Sequence, residues 1–146
     1  KVDFIYSESG NITNPIYDKV VYKFSGDKIP NIYRYTSRYL GVAKEPEYTL
    51  NISVEENKTK RSVESNQAVS KLDYEITYDY TLKKISNDCI LFENKTYSKF
   101  SYIPKSSGYN FGSDQSLDSM YGLASKKSLE VFVNNINDIN MSACDN

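Results

Sequence analysis

Two stretches of strict alternation constrain the fold more than any other feature of the chain. In both, every second residue is apolar and the residues between them are polar. The apolar positions are Tyr48, Leu50, Ile52 and Val54 in the first stretch, and Leu72, Tyr74, Ile76, Tyr78, Tyr80 and Leu82 in the second. A period of two residues is typical of a β-strand with one buried face and one wet face. We therefore predict two strands of an antiparallel sheet that is covered on one side.

Weaker patterns predict two more strands. Residues 18–24 alternate over a short distance, and the turn residues Ser86-Asn87-Asp88 predict that the chain returns as a hairpin partner from Cys89 onward. The apolar residues of this last strand change parity along its length. We therefore expect a bulge near residues 93–95, because an extra residue in one strand shifts the alternation.

Two helices complete the predicted order. Apolar residues recur at helical spacing over residues 29–40, and Gly41 is placed to end that helix in a left-handed conformation. A longer helical pattern covers residues 117–139, with Ser113 or Asp114 as its N-cap. The order β-α-β-β-β-α predicts an α+β fold, a mixed, mostly antiparallel four-stranded sheet with two helices packed on one face.

Length and composition limit the classes of protein. A chain of 146 residues suits a single domain over residues 1–146, in which the turn-rich residues 1–17 form an N-terminal arm. The formal net charge of −1 gives no basic excess for a nucleic-acid partner. The chain has no histidine, so Ser-His-Asp triads and histidine-containing zinc sites are excluded. We expect no enzyme activity, no catalytic residues, no cofactor and no metal site.

The two cysteines, Cys89 and Cys144, leave two alternatives open. An even number of cysteines fits a disulfide formed in an oxidising compartment, but two buried free thiols are nearly as common. If a bond forms, it ties the last residues of the chain back to the sheet.

Charged residues give two candidate sites. Asp73, Glu75 and Asp79 share the wet face of the long strand, where they form either an acid/base pair or, as we favour, a solvated charged face. The segment 55–71 is predicted to be a long hairpin loop with Lys58, Lys60 and Arg61 at its tip. Such a cluster can bind phosphate or carboxylate groups. The alternative is an exposed loop made polar for solubility.

The order of elements and several local strings resemble LptE, the lipopolysaccharide-assembly lipoprotein, in its alphaproteobacterial form. The similar strings cover nearly the whole chain: Asp3-Phe4-Ile5-Tyr6, the strand over 18–24, the helix ending at Leu40, Tyr48 to Val54, Ala68 to Leu82, Ser101-Tyr102, Ser106-Ser107, Tyr109 and the terminal helix.

The resemblance implies a lipoprotein anchored in the outer membrane through a lipidated cysteine upstream of Lys1 and facing the periplasm. Such a protein plugs and stabilises an LptD-like β-barrel, and Lys58, Lys60 and Arg61 are then expected to contact lipopolysaccharide. Two other functions stay open. One is a periplasmic or secreted adhesin or ligand-binding module unrelated to lipopolysaccharide transport, and the other is a small carboxylate-dependent hydrolase.

Overall fold

The computed structural model describes residues 14–62, 70–104 and 113–145. Six elements follow one another in these ranges: β1 (Val20–Gly26), α1 (Ile32–Leu40), β2 (Tyr48–Ser62), β3 (Ser70–Lys84), β4 (Ile90–Tyr102) and α2 (Ser113–Ile136). This order confirms the predicted β-α-β-β-β-α arrangement. Most of the predicted N-terminal arm, the side chains proposed as the N-cap of α2 and the residues around Tyr109 lie outside the described part.

The four strands form one mixed sheet in the order β1-β2-β3-β4. The β1 strand runs parallel to β2, and the other pairs are antiparallel. Parallel neighbours need a crossover connection, and α1 provides it. The α+β class and the mostly antiparallel sheet are therefore confirmed.

The core lies on one face of the sheet, which we call the helix-side face. Its buried strand residues all have even numbers: Val20, Tyr48, Leu50, Ile52, Val54, Tyr74, Ile76, Tyr78, Tyr80 and Leu82. Both helices cover this face, and α2 buries Leu129, Phe132 and Ile136 completely. The odd-numbered strand residues form the opposite, open face, except before the bulge in β4, where Ile90 lies on it. None of the helices in the described ranges is both long and apolar enough to cross a membrane.

A line of buried hydroxyl groups joins the sheet to α2. The hydroxyls of Tyr78 and Ser125 lie 3.1 Å apart, and Ser128 Oγ lies 2.6 Å from both Tyr80 Oη and Thr96 Oγ1. Burial raises the pKa of Tyr78 to about 12. Because a buried hydroxyl without a partner is costly, these bonds favour one position of α2 along the sheet.

The bulge in β4 lies earlier in the strand than predicted. The register passes from Leu82↔Phe92 to Lys83↔Ile90, so Leu91 is the extra residue and the prediction of residues 93–95 is wrong. The shift leaves Ile90 half exposed on the open face. The apolar side chains at 97 and 103, which suggested a later break, are both exposed: Tyr97 lies on the open face of the regular part of β4, and Ile103 follows the end of the strand.

The first helix is shorter than predicted. It begins at Ile32, after Asn31 has taken up a left-handed conformation with φ of 62°, and it ends at Leu40. Gly41 follows with φ of 75° and ψ of −172°, so its φ is positive but it is not in the left-handed helical conformation that we predicted. Its N–H donates to the carbonyl of Ser37, which closes the last turn.

Candidate binding surfaces

The basic residues do not sit together at a hairpin tip. Strand β2 continues through Ser62 and pairs with β3 along its whole length, so Lys58, Lys60 and Arg61 are strand residues. Because successive strand residues point to opposite faces, the two lysines lie on the helix-side face and Arg61 lies on the open face. The predicted three-residue cluster is therefore wrong as a single site.

The guanidinium of Arg61 is engaged by a neighbouring carboxylate. Its Nε and Nη2 donate to the two carboxylate oxygens of Asp73 at 3.0 and 3.2 Å, and Ser101 Oγ donates to the same carboxylate at 2.7 Å. The hydrogen bonds from Arg61, and then that from Ser101, lower the pKa of Asp73. Because this fork-to-fork geometry compensates the charge of Arg61 and uses two of its five N–H donors, Arg61 attracts an external anion less strongly than an unpaired cation would.

The two lysines lie beside the aromatic side chains of Tyr74 and Phe100. Lys58 pairs with Tyr74 across the strands, and its Nζ lies 5.8 Å from the centre of the Tyr74 ring. Lys60 pairs with Leu72, and both lysines are exposed. The phenyl ring of Phe100 stacks on Tyr74 at 4.7 Å. We call these five residues, Lys58, Lys60, Leu72, Tyr74 and Phe100, the lysine–aromatic surface.

Helix α2 closes one side of this surface. Tyr121 meets Tyr74 and Phe100 edge-on, with ring centres 5.8 and 5.6 Å apart, and its hydroxyl donates to a carboxylate oxygen of Glu56. Burial, followed by the hydrogen bond to Glu56, raises the pKa of Tyr121. Two exposed lysines, which form no ion pair with the residues that the structure describes, lie next to apolar side chains and suit an amphiphile that carries both an anionic group and hydrocarbon.

The sequence contained a signal for this arrangement that the prediction did not use. Lys58 and Lys60 have the same parity as Val54, whereas Arg61 has the other parity. If the alternation of β2 is continued seven residues beyond Val54, the two lysines fall on one face of the strand and Arg61 falls on the other. The aromatic partners come from β3 and β4, and their proximity depends on strand register.

The acidic residues of β3 are paired with cations on the open face. Asp79 lies 3.7 Å from Lys95, and Glu75 lies 3.5 Å from Lys99, both across the β3–β4 pair. Each carboxylate of the predicted set, including Asp73, therefore faces a basic group of an adjacent strand. This arrangement agrees with the solvated charged face that we favoured. Exposed pairs of this kind add little stability but keep the surface polar.

A disulfide joins Cys89 and Cys144, with Cα atoms 5.9 Å apart. Of the two alternatives that the sequence left open, the structure has the bonded one. Near the disulfide, the amide of Asn87 donates to the carbonyl of Cys144 at 3.0 Å, and Lys84 forms an ion pair with Asp145. The chain after α2 is thus tied to the turn between β3 and β4.

Neither a protein-family model nor a curated protein matches the sequence of this chain. Solved structures do match. A candidate lipoprotein from Caulobacter crescentus has a TM-score of 0.58 at 11% identity, covering 80% of this chain and 87% of its own.

Two further structures are similar. A minor lipoprotein from Acinetobacter baumannii has a TM-score of 0.53 at 12% identity, covering 84% of this chain and 94% of its own. The rare lipoprotein B from Shewanella oneidensis has a TM-score of 0.51 at 10% identity, covering 78% and 94%. The protein therefore has a fold found in small bacterial lipoproteins.

Proposed function

We propose that the protein is an outer-membrane lipoprotein of lipopolysaccharide assembly that occupies the lumen of an LptD-like β-barrel. The observation that carries the proposal is the open face of the sheet. This face is four strands wide, and three of its carboxylates, Asp73, Glu75 and Asp79, are paired with basic groups of neighbouring strands. The interior of a large membrane barrel is polar, so these three carboxylates can lie against such a wall with their charge compensated.

The length of the central hairpin also supports the proposal. Strands β2 and β3 have 15 residues each, and at about 3.3 Å per residue they extend roughly 50 Å. The apolar band of an outer-membrane barrel is about 25 Å tall. A hairpin aligned with the barrel axis would reach through that band and present its far end, with Lys58 and Lys60, beyond it.

The fold and the sequence resemblance supply the remaining support. Three lipoproteins of bacterial origin share the fold, and the strings that resemble LptE extend over most of the chain. Together they favour a lipid anchor at the N-terminal end of the full-length protein.

Co-purification from outer membranes tests the proposal directly. We expect the tagged full-length protein to incorporate labelled palmitate. We also expect it to co-purify with a large β-barrel protein at a molar ratio of one to one. A photo-crosslinking amino acid at Tyr97, on the open face, should capture that barrel. Recovery of an unlipidated protein without any barrel would contradict the proposal and would favour the adhesin or ligand-binding module.

Within this function, we propose that the lysine–aromatic surface binds lipopolysaccharide. The lysines supply charge for lipid A phosphates, and Leu72, Tyr74 and Phe100 supply apolar contact for acyl chains. The double variant K58S/K60S is expected to weaken lipopolysaccharide binding about tenfold, since two exposed ion pairs of about 0.7 kcal/mol each are lost. The melting temperature should hardly change because both side chains are exposed.

The variant R61S is the matched control for this measurement. Its charge is already paired with Asp73, so we expect it to reduce binding much less than K58S/K60S. Equal losses in the two variants, measured by titration with purified lipopolysaccharide, would contradict this assignment of the site.

A further inference from the structure

Strand β4 has one edge without a neighbour in the described ranges, since it is the last strand in the sheet order. An unpaired edge presents backbone N–H and C=O groups that can pair with another strand. A groove of about 460 Å³ runs beside this edge, between β4 and α2. Leu123 and Val131 of α2 line the groove and are 61% and 46% exposed. An apolar stripe next to an open edge is typical of a site for strand addition.

We propose that the occupant of this edge is β4 of a second copy of the chain, paired antiparallel about a two-fold axis at Thr96. This proposal does not rest on the barrel partner and concerns the protein on its own. A two-fold axis perpendicular to the sheet keeps the open faces of both copies on the same side. The bulge at Leu91 limits regular pairing to residues 92–100 of each copy.

The charges of β4 favour this register. Pairing about Thr96 places Glu93 of each copy opposite Lys99 of the other, where Lys99 lies between that Glu93 and Glu75 of its own chain. The same register places Phe92 opposite Phe100. Opposite charges and aromatic pairs stabilise directly paired positions, whereas like charges destabilise them. A register centred on Tyr97 would instead place Lys95 opposite Lys99 twice. The sequence of β4 is therefore self-complementary in one register and repulsive in the adjacent one.

The position of α2 brings the apolar stripe to the same axis. Ser128 is hydrogen-bonded to Thr96, so α2 passes over the centre of the proposed interface. The two α2 helices then run antiparallel across the axis. Leu123 and Val131 lie four residues before and after Lys127, so Leu123 of one copy approaches Val131 of the other. Burial of these exposed side chains adds a hydrophobic contribution to the backbone pairing.

One residue opposes the association. Lys127 lies between Leu123 and Val131 on the groove side of α2 and meets its own counterpart across the axis. Two lysines in contact repel each other, so the dimer is expected to be weak and reversible. A variant that removes the charge of Lys127 should therefore strengthen the interface.

Sedimentation equilibrium over a range of protein concentrations tests the proposal. The wild-type protein is expected to form a concentration-dependent dimer. The substitution Glu93→Lys should weaken the dimer about tenfold, since two symmetric attractive pairs become repulsive. The substitution Lys127→Met should strengthen it. Glu55→Lys, the same charge change on the exposed open face of β2, should leave the dissociation constant unchanged.

Amide hydrogen exchange locates the interface. Exchange in residues 92–100 should slow as the protein concentration rises, whereas exchange in β1, the opposite edge strand, should not. A protein that stays monomeric at millimolar concentration would overturn the proposal. A dimer that responds equally to Glu93→Lys and Glu55→Lys, or that protects β1 and not β4, would also overturn it.

Discussion

Replacing Cys89 and Cys144 together by serine is expected to lower the free energy of unfolding by about 4 kcal/mol. The bond closes a loop with a sequence separation of 55, and on the chain-entropy model a loop of this length restricts the unfolded chain by about that amount. For a domain of this size, the midpoint of thermal unfolding should fall by roughly 10 °C. Urea denaturation of the wild type and of C89S/C144S gives the direct comparison.

Reductant provides the control for the cysteine variants. Dithiothreitol should destabilise the wild-type protein by the same amount as the double substitution, and it should leave C89S/C144S unchanged. The two hydrogen-bonded contacts at Asn87 and Lys84 remain in the variant, so the C-terminal segment should still dock in the folded state. A wild-type protein whose stability is insensitive to reductant would show that the bond does not form.

The substitution Phe132→Ala is expected to cost about 3–5 kcal/mol, the range found when a buried aromatic side chain is removed from a core. Phe132 is completely buried, and its ring stacks on Tyr80 at 4.5 Å. Its ring also lies 5.9 Å from that of Phe92, so the cavity would lie between α2 and strands β3 and β4. Chemical denaturation monitored by circular dichroism measures the loss.

The matched control is Leu123→Ala on the same helix. Leu123 is 61% exposed, so its truncation should change the stability of the monomer by about 0.5 kcal/mol or less. If both variants lose the same stability, α2 does not pack on the sheet through the face that contains Phe132.

The arrangement of the core was predictable from the sequence because it depends on alternation. The apolar side chains of Tyr48 to Val54 and of Leu72 to Leu82 can be buried together only on one face of a sheet. The helical spacing in residues 117–139 then supplied the cover for that face. These features are local patterns of apolar residues, and the structure places them as predicted, except that α2 ends at Ile136 rather than at residue 139.

The far half of β2 could not be predicted in the same way. From Glu55 to Ser62 the sequence has no apolar residue on either face, so no alternation of hydropathy marks it as a strand. Its conformation comes from pairing with β3, whose own alternation continues to Leu72. Because that pairing separates Lys58 and Lys60 from Arg61, the error in strand length became an error in the candidate site.

The bulge illustrates a different difficulty. The change of parity in β4 was visible, but the position of the extra residue depends on how the turn before Cys89 fits the disulfide and the end of β3. Cys144 contributes to that fit through the disulfide, at a sequence separation of 55 from Cys89. Contacts of this kind lie outside the range of a local pattern.

The two halves of the central hairpin, formed by β2 and β3, differ in how far their β2 residues are buried. Near Leu50 and Leu82 both strands are fixed by the core, whereas residues 57–61 are exposed on both faces. Substitutions at residues 57–61 of β2 therefore meet few steric constraints from the folded interior, whereas Tyr74 on the paired strand is buried. Over evolutionary time, related chains can exchange charges at residues 57–61, and so acquire new ligand preferences, while one unchanged scaffold continues to fold.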